Sequence, residues 1–139
     1  MNRKLVSALI GAAAATATLV GTAGSAYAAA PPTGAEACPS GSVCLYYNSP
    51  QYGWGSFEHW SPGAFGDLSQ FHFSNWGNGS GYGLTVEENA ASIVNNSSGT
   101  WNVWRDESGY WVNVPIAPGY AGVLPATVYN HDDALTYAG

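Results

Sequence analysis

The sequence predicts an all-β protein in which two Greek-key motifs pack as a sandwich, and three observations carry that expectation. The stretch "SPGAFGDL" (Ser61 to Leu68) returns as "APGYAGVL" (Ala117 to Leu124), with Pro, Gly, Gly and Leu at the same internal spacing. Val112, Val114 and Ile116 alternate with Trp111, Asn113 and Pro115, and Val43, Leu45 and Tyr47 with Cys44 and Tyr46, the period of a half-buried strand. Gly and Pro interrupt the chain too often for long helices.

In chain order, Arg3 and Lys4 precede an apolar run from Leu5 to Val20, followed by Ala26-Tyr27-Ala28. A positive start, an apolar stretch and a small-x-small site form a secretory signal peptide over residues 1–28, with export as its consequence. Residues 29–37 are expected to be a flexible mature amino end, and residues 38–139 the folded domain. Next come Cys38 and Cys44 in "CPSGSVC". In an exported chain two nearby cysteines pair, and Pro39 and Gly41 supply the turn. So short a ring stabilises by about 2–3 kcal/mol and pins the amino end to the first strand.

The first key is expected over about residues 43–95. It holds an aromatic strand, a Gly-aromatic turn at Gly53 and Trp54, a second strand ending at Trp60, and the Pro-Gly turn at Pro62. The joint is "NNSSGT", Asn95 to Thr100. The second key is expected over about residues 101–138. A shift of 56 residues (61 to 117) also lays Gly53 on Gly109, Trp54 on Tyr110 and Trp60 on Ile116; with one residue of slip, Tyr47 meets Trp104. "EENAASIV" from Glu87 matches "HDDALTYA" from His131 at a shift of 44 (87 to 131), so the first half carries extra residues, from about Ser69 to Gly83.

Removal of the signal segment leaves Arg105 as the one basic residue against nine carboxylates, a formal excess of eight negative charges. Such a surface repels a phosphate backbone, so nucleic acid is excluded as a partner. No segment after the signal could cross a bilayer, and a monomer is expected. Catalytic patterns are absent. "GNGSGYG" lacks the order of a nucleophile elbow, of a dinucleotide fingerprint and of a P-loop. His59, His72 and His131 are scattered, and nothing pairs Glu58, Asp67 or Asp106 for acid–base work. The chain is therefore read as a non-enzyme.

The segments "CPSGSVCLYY", "YGWGSFEHW" and "ENAASIVNN" resemble the secreted actinomycete peptidase-inhibitor family, whose type member is a metalloproteinase inhibitor with a βγ-crystallin fold. The resemblance implies a βγ-crystallin-like sandwich and inhibition of an extracellular peptidase. It also implies a comparison with that fold's calcium motif, two Asn/Asp, two variable residues, Ser/Thr and Ser. The matching stretches are Glu87 to Ser92 and His131 to Thr136, where Ala91 and Leu135 stand in place of the ligand hydroxyl. Calcium takes six to eight oxygens, so the expectation is no cofactor beyond weak calcium binding at Glu87, Glu88, Asp132 and Asp133. The type member has more than one disulfide and this chain has a single cysteine pair, so a cysteine-tethered inhibitory loop is not implied.

An inhibitor presents a loop held so that binding costs little conformational freedom, in interfaces of about 1,600 Å² with aromatic anchors at their centre. The extra segment fits, with Trp76, Asn78, Ser80 and Tyr82 as the candidate inhibitory residues and Phe71 and Phe73 assigned to the core. Gly77, Gly79 and Gly81 would weaken pre-organisation unless the loop packs back on the domain. A trypsin-like target would rest on Arg105 alone, so a metallo- or subtilisin-like peptidase suits the composition better. The alternative is a non-inhibitory βγ-crystallin-type module that is calcium-linked, antimicrobial, or carbohydrate-binding through exposed aromatics such as Trp76.

Overall fold

A computed structural model describes residues 36–139. The signal segment 1–28 and most of the expected flexible stretch 29–37 lie outside the described residues. Eight strands follow one another: β1 (Val43–Tyr46), β2 (Phe57–Trp60), β3 (Ala64–Phe65), β4 (Ser92–Asn95), β5 (Trp101–Asp106), β6 (Trp111–Ile116), β7 (Ala121–Val123) and β8 (Ala134–Tyr137). Two 3-10 turns, Pro50–Tyr52 and Leu68–Gln70, are the only helical pieces among the described residues. The second is capped by Asp67, whose side chain accepts from the Ser69 N–H. No described helix is long and apolar enough to cross a membrane.

All pairings are antiparallel, in two four-stranded sheets ordered β2-β1-β4-β7 and β3-β8-β5-β6. Each half therefore keeps three strands at home and lends its third to the other half's sheet. Alternation explains the layering, since successive side chains point to opposite faces. Val43 and Leu45 of β1, Ile93 of β4, Trp101 and Val103 of β5 and Leu135 of β8 meet in one core between the sheets, completed by Trp60, Leu68, Phe73, Val86 and Leu124.

The β1 and β4 strands are buried on both faces, unlike β6, which shows Trp111, Asn113 and Pro115 to solvent. Cys44, Tyr46, Phe57 and Val94 form the outer layer of the first sheet, and Cys38 and Trp54 cover them. The Cys38–Cys44 disulfide ties that cover to β1. Trp54 lies at φ 69° between two left-handed glycines and sets its indole edge-on to Tyr46, ring centroids 5.1 Å apart. A bulky residue at positive φ costs free energy, and burial against Tyr46 and Phe57 offsets it.

Backbone hydrogen bonds repeat about an internal twofold. Ala91 N donates to Tyr46 O as Asp133 N donates to Trp104 O. Leu124 N donates to Ala91 O as Leu68 N donates to Asp133 O. Asn130 N donates to Ala90 O as Glu88 N donates to Asp132 O. Glu88 and Asn130 also share a positive φ, 61° and 55°. The counterpart of Trp104 is thus Tyr46 rather than Tyr47, and that of Ala91 is Asp133 rather than Leu135. The sequence match of "EENAASIV" with "HDDALTYA" is out of step by two residues. It followed the acidic side chains, whereas ladder bonds and left-handed turns set the register. The Pro-Gly match stands, because Leu68 and Leu124 both occupy equivalent core positions.

Candidate functional site

The extra segment of the first half leaves the core at Phe71 and returns at Val86. Its two legs are joined by bonds from Val86 N to Phe71 O (3.0 Å), Phe73 N to Leu84 O (2.9 Å) and Gly83 N to Phe73 O (2.9 Å). Phe73 is fully buried and Phe71 packs on the core. Beyond them Asn75 exchanges two backbone bonds with Phe57, an added rung on the edge of β2.

The tip, residues 76–82, is a chain of tight turns that lies back on the β1–β2 connection. Ser56 N donates to Ser80 O (2.9 Å), Ser56 Oγ donates to Trp76 O (2.7 Å), and Asn48 Nδ2 donates to Ser80 Oγ (2.9 Å). The Asn78 amide closes the tip in both directions: its Oδ1 accepts from Ser80 N (2.9 Å) and its Nδ2 donates to Gly53 O (3.2 Å). Glu36 adds a bond from the amino end, accepting from Gly77 N at 2.8 Å. Two glycines make this approach possible. A Cβ on Gly77 would overlap the Gly55 carbonyl, and one on Gly81 would overlap the Tyr47 ring. Their φ values, 59° and 80°, also belong to the left-handed region. Glycine here permits contact, not motion.

The four candidate inhibitory residues divide. Asn78 and Ser80 turn inward and hold the tip. Trp76 and Tyr82 face out, 60% and 51% exposed, with ring centroids 5.2 Å apart. Exposed Leu84 follows directly, and exposed Tyr52 stands on the neighbouring turn. Sequence reading missed both, since nothing along the chain says that the β1–β2 turn lies against the tip.

The four candidate metal-binding residues also divide. Carboxylate oxygens of Glu87, Glu88 and Asp133 lie within 4.8 Å of one another. Asp132 is fully buried: its Oδ1 accepts from Ala90 N at 3.1 Å, and its Oδ2 has no partner among the described residues. Asp106, whose N–H donates to Asp133 Oδ2 (2.7 Å), and Asp67 line the same cleft with Trp111. Neither Asp106 nor Asp67 was a metal candidate from sequence, because only folding brings the end of β5 and the 3-10 turn to this place. In kind the donors of the cluster fit calcium, which takes carboxylate oxygens singly or in pairs. The hydroxyls missing at Ala91 and Leu135 lower the number available.

Burial pushes the Asp132 carboxyl well above the usual carboxylate range, against the Ala90 N–H and aided by the charges of Asp133 and Glu88. Burial also raises Asp133, with Glu88 and Asp106 adding to it, and Glu87, with Asp133, Asp67 and Glu88 adding to it. A carboxyl with a raised folded-state pKa binds more protons folded than unfolded. Its contribution is complete below the ordinary carboxylate value of about 4 and is lost as pH rises through the raised value. Melting temperature is therefore expected to rise on acidification from neutral pH towards pH ~5, with a smaller rise in Asp132→Asn. A flat profile in the unaltered protein would contradict this.

Of the sequence candidates Glu58, Asp67 and Asp106, only the two aspartates share a cleft, and Glu58 does not line it. Glu58 accepts from Ser74 Oγ and from the His59 N–H, while His59, His72 and His131 are all solvent-exposed.

A family model, that of peptidase inhibitor family I36, matches residues 31–113. No curated protein and no solved structure matches the chain.

Proposed function

We propose, for a chain that belongs to peptidase inhibitor family I36, that the tip at residues 76–82 is the surface that meets the peptidase. The chain is a peptidase inhibitor and not an enzyme. The reading beyond this is a secreted monomer acting on an extracellular metallo- or subtilisin-like peptidase. Trp76 and Tyr82 would enter the enzyme's apolar subsites, and Asn78 and Ser80 would hold the turn.

The observation that carries the reading is the pairing of two exposed aromatic rings with a backbone pinned from Gly53, Ser56, Asn48 and Glu36. Rigidity before binding lowers the ordering cost of association, and rigid aromatics are the anchors that dominate such interfaces. The exchanged third strands favour a βγ-crystallin-like pair of Greek keys as the scaffold, over about residues 43–95 and 101–138.

A panel of metallo-, serine and cysteine peptidases tests the proposal. Inhibition of at least one at micromolar protein is expected, weakened by about tenfold or more in Trp76→Ala with unchanged melting, because the indole is mostly in solvent. Full activity of every enzyme would end the reading.

The Glu87, Glu88 and Asp133 cluster favours a second reading, a calcium-linked module. Bound calcium would neutralise the carboxylates that destabilise the fold at neutral pH. The pH melting series repeated with millimolar calcium tests it: an upward shift at neutral pH supports binding, and coincident curves exclude it.

A further inference from the structure

The acidic cleft has a counterpart across the internal twofold, and the two have opposite chemistry. Asp106, Asp133 and Glu87 line one. Their equivalents by the repeated hydrogen-bond register are Asn48, Ala91 and Tyr129, and these line the other. These three carboxylates have become an amide, a methyl and a phenol in the second, and the fourth, Asp67, has no counterpart among its lining residues.

This second cleft has a volume of about 280 Å³ and lies between the β1–β2 turn, the approach to β4 and the segment before β8. Tyr47, Tyr52 and Tyr129 give it three aromatic rings, and Asn48, Asn89 and Asn130 three amides. No lining residue is charged. Its walls are set in advance. Gly81 lies against the Tyr47 ring, Asn48 is held by Ser80 Oγ, Asn89 donates to Thr85 O (2.9 Å), and Asn130 N–H is bonded to Ala90 O. The three phenol hydroxyls and the Asn130 side-chain amide bond to no other described residue.

These groups select a ligand class. Without a cation the cleft has nothing to hold a carboxylate or phosphate, and without a carboxylate nothing to hold an ammonium or a metal. An apolar guest would leave amide groups desolvated and unpaired, which is costly. A neutral polyhydroxyl compound meets every condition: its hydroxyls pair with amide donors and acceptors, and its C–H faces lie on the phenol rings.

We propose that this cleft binds a neutral saccharide. The volume, just below the about 300–1,000 Å³ of ligand pockets, takes a single ring, with a longer glycan running outward past Tyr52. Neither Trp76 nor Tyr82 lines the cleft, so an inhibitor so equipped could be held on a glycan surface with both rings free.

The test is a nuclear magnetic resonance titration of the mature protein with chitotriose, cellotriose and maltotriose at millimolar concentration. At least one is expected to shift the side-chain amides of Asn48, Asn89 and Asn130. Asn130→Gly, which keeps the left-handed backbone, is expected to weaken binding about tenfold with melting and peptidase inhibition unchanged, and Tyr52→Ala, at a mostly exposed position, to weaken it similarly with melting unchanged. Trp76→Ala is expected to weaken inhibition and leave saccharide binding intact. The proposal is overturned if none of the three sugars perturbs these amides, if the shifts gather at Trp76 and Tyr82 instead, or if Asn130→Gly binds as before.

Discussion

Replacing Trp101 with alanine is expected to remove about 3–5 kcal/mol of stability, the cost of emptying a large aromatic site in a core that cannot collapse around it. Trp101 is fully buried at the start of β5. Its ring is stacked on Phe65 of β3 at 6.3 Å and meets Tyr137 of β8 edge-on at 5.4 Å. Its Nε1 donates to Ser97 Oγ (3.1 Å), so the substitution also removes a tie to the joint between the halves, where the Ser97 hydroxyl keeps its bond to Asn95 Oδ1 (2.6 Å). Domain stabilities are about 5–15 kcal/mol, so the variant is expected near the edge of folding. Urea denaturation measures it, with Tyr110→Ala as the comparison, because Tyr110 is 70% exposed on a hairpin tip. The comparison is expected to change by less than about 0.5 kcal/mol. A Trp101→Ala loss below about 1 kcal/mol would contradict the packing described.

The second large effect is expected at Gly81. Alanine there meets a left-handed backbone and the face of the Tyr47 ring together, and Tyr47 is itself held against Phe73. The backbone cost of about 1–2 kcal/mol and an overpacking cost of about 1–3 kcal/mol give a loss of about 2–5 kcal/mol by the same denaturation. Gly83 provides the control: its φ of 86° is similar, but an added Cβ would meet open space. Gly83→Ala is expected to show the backbone cost alone. Equal losses at the two positions would mean that the tip does not press on Tyr47.

These two sites mark what was and was not legible in the sequence. The β content, the alternation that buries Leu45 and Val103, the disulfide and the duplication were all visible, because each is local or periodic. The loan of β3 and β7 to the opposite sheets was not, since nothing along the chain distinguishes a third strand that stays from one that crosses. The Gly77-to-Gly81 stretch read as loose because the residues that require glycine, Gly55 and Tyr47, are distant in sequence. Trp76 and Tyr82 were chosen from composition alone, and their rings do face solvent. Asn78 and Ser80 were chosen with them, but their side chains bond to the scaffold and within the tip. The acidic cluster was half visible: Glu87, Glu88 and Asp133 stood in short acidic runs, while Asp106 and Asp67 arrive from a strand end and a turn cap.

The crossing strands bear on survival after cleavage. β3 is paired only with β8, and β7 only with β4, so each half is stitched to the other by ladders that do not depend on the covalent joint. A cut near exposed Asn96 or Ser98 would sever the thread and leave both seams sewn. The two fragments would stay interlocked with the tip in place, a useful tolerance for a molecule whose partners are enzymes that cut chains.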